Sequence, residues 1–161
     1  MNIIEYNEKY DEQIKDLLVE LQQYIVAIDK DDLSTITDDY REKYFAYTKS
    51  QTYSQNGKIF LAEDSGKIIG MIAGHMREYF DIDKTDYKCP TMGVIEELIV
   101  SKNSRSCGAG KTLMKKMEEY FKSQNCTHIL LGVFGYNDKA YEFYKKQGYH
   151  TRMIEMLKKL D

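Results

Sequence analysis

Two adjacent carboxylates in an apolar run are the residues here whose type and setting can do chemistry. Glu96 and Glu97 interrupt the stretch Gly93–Val100, GVIEELIV, which reads as a buried strand. A carboxyl group among apolar neighbours is partly desolvated, and that raises its pKa toward the range of a useful base. Strand alternation puts the two on opposite faces, and either can instead point to solvent or meet a lysine. After a short polar turn comes Arg105-Ser106-Cys107-Gly108-Ala109-Gly110-Lys111-Thr112. Leu113, Met114, Met117, Tyr120 and Phe121 then recur at helical spacing, so Lys111 to Phe121 reads as a helix. Strand, glycine turn and helix N-terminus together build an anion site. The first N–H groups of a helix lack internal partners, its dipole is positive there, and glycine lets backbone approach a phosphate.

Several known loops have this outline. A Walker loop needs a glycine five residues before its final Gly-Lys pair, where this chain has Arg105. The dinucleotide fingerprint G-x-G-x-x-G meets Leu113 at its third glycine. The arrangement that fits is Arg105-x-x-Gly108-x-Gly110 after a strand ending in Val100 and before a helix. It resembles the acyl-CoA pyrophosphate loop of the GNAT superfamily of N-acetyltransferases. A second block, Asn137-x-x-Ala140-x-x-x-Tyr144-x-x-x-Gly148-Tyr149, resembles the superfamily's last motif and follows in the right order. The resemblance runs from about Lys58 to the C-terminus.

The resemblance implies acetyl-CoA as co-substrate, no metal, and direct transfer to a primary amine on a small molecule or peptide. It lays the pyrophosphate on backbone amides from Arg105 through Ser106, Cys107, Gly108, Ala109, Gly110 and Lys111 to Thr112. It pairs the pantetheine arm with Leu98, Ile99 and Val100 where two parallel strands splay, with Asn137, Tyr141 and Tyr144 on the far side. Ser106-Cys107 stands where Gly-Lys or Gly-Arg is common, which leaves more of the phosphate binding to Arg105, Lys111 and the backbone. Acetyl transfer needs a neutral amine and a proton for the departing thiolate. Glu96 or Glu97 is the candidate base, with Glu96 slightly favoured by its position relative to Val100. Tyr144 is the candidate acid, because a phenol near pKa 10 suits a thiolate near 8.5. Tyr141, one turn earlier on the same helical face, is its substitute. The rival function is a CoA-binding sensor or regulatory module without turnover, since fold alone does not specify activity.

The elements that must position these residues form one α/β (α+β) domain: a central mixed sheet of about six to seven strands with helices on both faces. A length of 161 residues with 42% apolar content suits a single core. The resemblance implies that residues 1–56 are variable acceptor-side helices and 57–161 the acyl-CoA-binding core. A strand at Asn2–Tyr6 precedes an amphipathic helix at Lys9–Ile28. A second helix, capped by Thr37, runs to about Tyr53 with Tyr40, Tyr44, Phe45 and Tyr47 along one side, as core or as the wall of an acceptor pocket. Lys58–Glu63 and Ile68–Tyr79 form a hairpin, on which His75 reads as structural. The apolar run ILLGVF makes His128–Phe134 a strand parallel to the one carrying the glutamates. A helix at Lys139–Gln147 and a last strand at His150–Leu160 close the chain. A net charge of −3 gives no reason to expect nucleic acid, and no apolar run is long enough for a membrane. Three cysteines without metal spacing (Cys89, Cys107, Cys126) suit a reducing cytoplasm. A homodimer is a further expectation from the resemblance.

Overall fold

Period-two and helical apolar patterns sort this chain into one sheet covered on each face. The computed structural model describes residues 1–160. Its strands are β1 (Asn2–Glu5), β2 (Lys58–Asp64), β3 (Lys67–Met76), β4 (Met92–Val100) and β5 (His128–Leu131). They lie in the order β1-β2-β3-β4-β5, antiparallel throughout except for the parallel β4–β5 pair. The helices are α1 (Asp11–Ile28), α2 (Tyr40–Ser54), the single turn α3 (Asp83–Asp86), α4 (Ala109–Ser123) and α5 (Asp138–Lys146).

Each sheet face has its own core. Ile14, Leu17 and Leu18 of α1 and Phe45 of α2 pack on Ile59, Leu61, Met71 and Ile99. On the other face Leu113, Met114, Met117 and Phe121 of α4 pack on Phe60, Ile72 and Ile95, with Phe143 and Tyr144 of α5 at the margin. Ile95 and Ile99 would share a face in a regular strand. They lie on opposite faces because the β3–β4 register slips between Ala73, opposite Glu97, and Gly74, opposite Ile95. Glu96 is the extra residue of this β-bulge.

Several element bounds differ from the sequence expectation. The sheet has five strands, not six or seven. His150–Leu160 forms no strand and is exposed along its whole length, because no strand of its own chain lies beside it. The long strand of the hairpin stops at Met76, short of Tyr79, and β5 stops at Leu131, short of Phe134. α2 begins at Tyr40 because the Thr37 hydroxyl donates to the Asp39 carboxylate instead of capping the helix.

The close approach of α4 to the sheet depends on glycine. A Cβ at Gly93 would meet the buried Phe121 ring at 2.5 Å, closer than any side chain tolerates. Gly93→Ala is expected to lower stability by ~1–3 kcal/mol through overpacking. Urea unfolding followed by circular dichroism checks this.

Candidate active site

β4 outruns its parallel neighbour. β5 pairs with Met92–Ile95 alone, so Glu96 to Val100 are laddered to β3 on one side and have no strand on the other. The gap foreseen beside Leu98, Ile99 and Val100 is therefore present in the backbone.

The bulge turns both glutamates toward α1 and α2, which corrects the expectation of opposite faces. Their surroundings differ sharply. Glu97 is 7% exposed and accepts a hydrogen bond from the Tyr44 hydroxyl of α2. Tyr40 stacks on Tyr44 with ring centroids 4.9 Å apart, so part of the aromatic side of α2 walls this carboxylate while Phe45 joins the core. Burial pushes the Glu97 carboxyl up to about 7; the Tyr44 bond opposes the shift and the neighbouring Glu96 charge adds to it. The Glu96 side chain is 43% exposed and lies 2.9 Å from Nε2 of the buried His75, whose Nδ1 is 3.0 Å from the Met76 carbonyl. The His75 hydrogen bond holds Glu96 below the usual carboxylate range. Burial works against charge on His75, yet the bonds to Glu96 and Met76 outweigh it and raise its pKa. One carboxylate is thus hydrogen-bonded to His75 and reaches solvent, and the other is buried and poised near neutrality.

The glycine turn leads from β4 into α4 as the sequence implied. Lys102–Ser104 form one 3-10 turn, Ser106 and Gly108 take left-handed φ values of 67° and 87°, and α4 starts at Ala109. Gly108 supplies no capping side chain and the first turn of α4 has no acidic residue, so its leading N–H groups keep their positive end open. Thr112 donates to the Gly108 carbonyl, and Arg105 Nε donates to the Val100 carbonyl at 3.3 Å. Cys107 is exposed beside this turn.

The remaining candidates belong to α5 and its N-cap. Asn137 caps α5, its Oδ1 accepting from the Ala140 amide at 3.2 Å. Tyr144 is half-buried between Phe143 and Tyr149, and makes no hydrogen bond among the described residues. Burial first, and the Glu97 charge second, push its phenol up to about 12, so it keeps its proton at neutral pH. Tyr141 points elsewhere: it is exposed, with its hydroxyl 3.0 Å from that of Thr151.

Residues 21–149 match the family model of the acetyltransferase (GNAT) family. The chain belongs to the GNAT family. An N-acetyltransferase of Methanocaldococcus jannaschii, itself uncharacterized, is 34% identical over 60% of this chain and 54% of its own length. The glucosamine 6-phosphate N-acetyltransferase of Trypanosoma brucei is 25% identical, with 62% of each chain covered. The chain thus spans little more than half the length of such curated relatives. A mutant of the BH1408 protein of Bacillus halodurans superposes over 99% of both chains with a TM-score of 0.83 at 19% identity, a likeness of fold alone.

GNAT membership implies acetyl-CoA use, and the uncapped α4 N-terminus with its small residues suits a pyrophosphate. Among the described residues no helix is long and apolar enough to cross a membrane. Three residues that contact the candidate site escaped the sequence reading in part or whole. Tyr24 of α1 meets two of the candidate residues, with its hydroxyl 3.4 Å from Asn137 Oδ1 and the Arg105 guanidinium 5.3 Å from its ring. In sequence it is one more apolar position of an amphipathic helix. Tyr44 and His75 were visible as residue types, but their glutamate partners lie far along the chain and no local spacing reports them.

Because the Tyr44 hydroxyl stabilises the ionised form of Glu97, Tyr44→Phe is expected to raise the Glu97 pKa further above 7. Carboxyl carbon shifts followed by NMR against pH check the direction; a downward movement contradicts it.

Proposed function

We propose that this GNAT chain transfers an acetyl group from acetyl-CoA directly to a primary amine, with Glu97 as base, Glu96 as the holder of the cationic acceptor and Tyr144 as acid. The observation that carries this reading is Glu97, a buried carboxyl with a pKa of about 7 beside the unladdered half of β4. An ordinary carboxylate near 4 is too weak a base to take a proton from an amine efficiently, and burial removes much of that mismatch.

The division of labour follows from the two environments. Glu96, kept ionised by His75 and open to solvent, attracts an ammonium group. Glu97 takes the proton the amine must lose, directly or through one water. The amine nitrogen then bonds to the thioester carbonyl carbon, and the carbon–sulfur bond breaks as the tetrahedral centre collapses. Tyr144 gives its phenolic proton to the departing thiolate and regains one from solvent or from the protonated Glu97. The Glu97 charge helps to keep that phenol protonated until it is needed. The uncapped amides at the start of α4, with Arg105 and Lys111, suit the pyrophosphate, and the free flank of Leu98, Ile99 and Val100 suits the amide-rich arm.

Glu97→Gln tests both the chemistry and its cost. With a panel of primary amines, kcat/KM of the unaltered protein is expected to rise with pH through about 7 and then level off, since Glu97 must be ionised. In Glu97→Gln that limb disappears and kcat/KM falls ~10²-fold or more. The stability sign is opposite. A carboxyl raised in the folded state favours folding while protonated, so its contribution is full below the unfolded pKa and is lost as pH rises through the folded value near 7. At pH 8 the variant is expected to be more stable than the parent by about 3 kcal/mol, from 1.36 kcal/mol per pKa unit, read by urea unfolding.

Tyr144→Phe separates an enzyme from a CoA-binding module. It is expected to lower kcat ~10²-fold while CoA affinity, measured by calorimetry, stays within a few-fold. Release of free thiol undiminished in this variant removes Tyr144 from the mechanism. No thiol release with any amine, despite CoA binding, favours the non-catalytic module.

A further inference from the structure

We propose that His75 and Glu96 form a proton-holding pair at neutral pH, with His75 as an imidazolium, and that this pair sets the pH at which Glu97 ionises. His75 is then a positioning residue for the reaction. Its bearing on catalysis rests on the reading of Glu97 as base, whereas the proton count needs only the geometry.

The count follows from what each ring nitrogen meets. Nδ1 of His75 lies 3.0 Å from the Met76 carbonyl oxygen, and Nε2 lies 2.9 Å from Oε1 of Glu96. A carbonyl oxygen and an ionised carboxylate both only accept. A neutral imidazole has a single N–H, so it satisfies one of these contacts and turns a lone pair on the other. His75 is only 6% exposed, and a buried lone pair set against a carboxylate is costly. Two acceptors at hydrogen-bond distance from one ring therefore call for two protons. The second proton can sit on Nε2 or on Glu96, and in either place the pair has no net charge. Imidazole is the stronger base, with a reference pKa of about 6.5 against about 4.3 for a glutamate, which puts the proton on the ring. The local shifts run the same way. Burial disfavours charge on His75, but its bonds to Glu96 and Met76 outweigh that and raise its pKa, while the His75 bond lowers that of Glu96.

The count matters because of the residue next door. Burial is the main cause of the raised Glu97 pKa, and the Glu96 charge adds to it. A bare carboxylate at Glu96 would hold Glu97 protonated to a still higher pH. An imidazolium bonded to Glu96 offsets that charge, so Glu97 ionises beside a neutral pair. The bond uses one oxygen of Glu96, and the side chain stays 43% exposed, so it can still meet an ammonium group.

The other groups around the two glutamates do not supply this charge. Glu78, just past β3, is negative and favours the imidazolium. Arg77 is turned to the Tyr79 and Tyr87 rings, with its guanidinium 5.2 and 5.8 Å away. From α2, Tyr44 donates to Glu97 as a neutral phenol, and Tyr40 of α2 and Tyr144 of α5 feel the Glu97 charge as neutral phenols too. Among the described residues His75 is the one side chain able to carry positive charge that is bonded to either glutamate.

Nitrogen-15 NMR of the full chain at pH 7 without substrate, with the ring assigned through the backbone, is expected to show both nitrogens of His75 protonated. His75→Gln keeps a donor for Glu96 and removes the charge. It is expected to move the Glu97 titration, followed through the carboxyl carbon, upward from about 7 by ~1 unit. The rising limb of kcat/KM with amines is expected to move with it. A histidine that merely packs leaves the Glu97 titration in place. A neutral His75 ring in the parent at pH 7 overturns the proposal, and so does a Glu97 titration that stays or falls in His75→Gln. If that variant does not fold, the parent spectrum decides alone. If both NMR results are as expected and no amine releases thiol, the acetyl-transfer reading fails and the proton-holding pair stands.

Discussion

The cleft of this protein exists because one strand is longer than its parallel neighbour. β4 runs to Val100 while β5 stops pairing opposite Ile95, and backbone polar groups without partners are costly unless something else meets them. The candidate residues gather at that mismatch. The glycine turn begins where β4 ends, α5 begins where β5 has left the sheet, and the bulge at Glu96 lies one residue past the last parallel pair. A βαβ unit with equal strands would have satisfied the same amides internally and had no slot for an extended, amide-bearing ligand.

The bulge then makes two unlike acids from neighbouring residues. Without it, Glu96 and Glu97 would face opposite sides of the sheet. With it, both face α1 and α2, near enough for the Glu96 charge to bear on Glu97. Like charges in one place disfavour each other's ionisation, and the partners decide which yields. Glu96 has an imidazole that, when protonated, donates from both nitrogens, to the carboxylate and to the Met76 carbonyl, so its charge is supported. Glu97 has one neutral phenol and an apolar wall, so it is the one that keeps its proton longer. The fold gives up stability at neutral pH to hold that acid, a common pattern at reacting sites.

Local signals made most of the architecture legible. The apolar spacing of α1 and α4, the apolar run of β4, and the order of glycines at Gly108 and Gly110 each rest on a rule that acts within one element. The Gly108 left-handed turn and the uncapped helix start follow from residue type. What failed to show depends on register or on partners. A bulge is a slip between two strands, so the facing of Glu97 cannot be read from β4 alone. Tyr24 meets Asn137 across 113 positions, and Tyr44 meets Glu97 across 53. Of the acid candidates one turn apart on α5, Tyr144 packs inward and Tyr141 turns to Thr151, a difference of side-chain direction that helical spacing does not resolve. The expected last strand was read from an amphipathic pattern, and such a pattern does not say whether a sheet edge lies beside it.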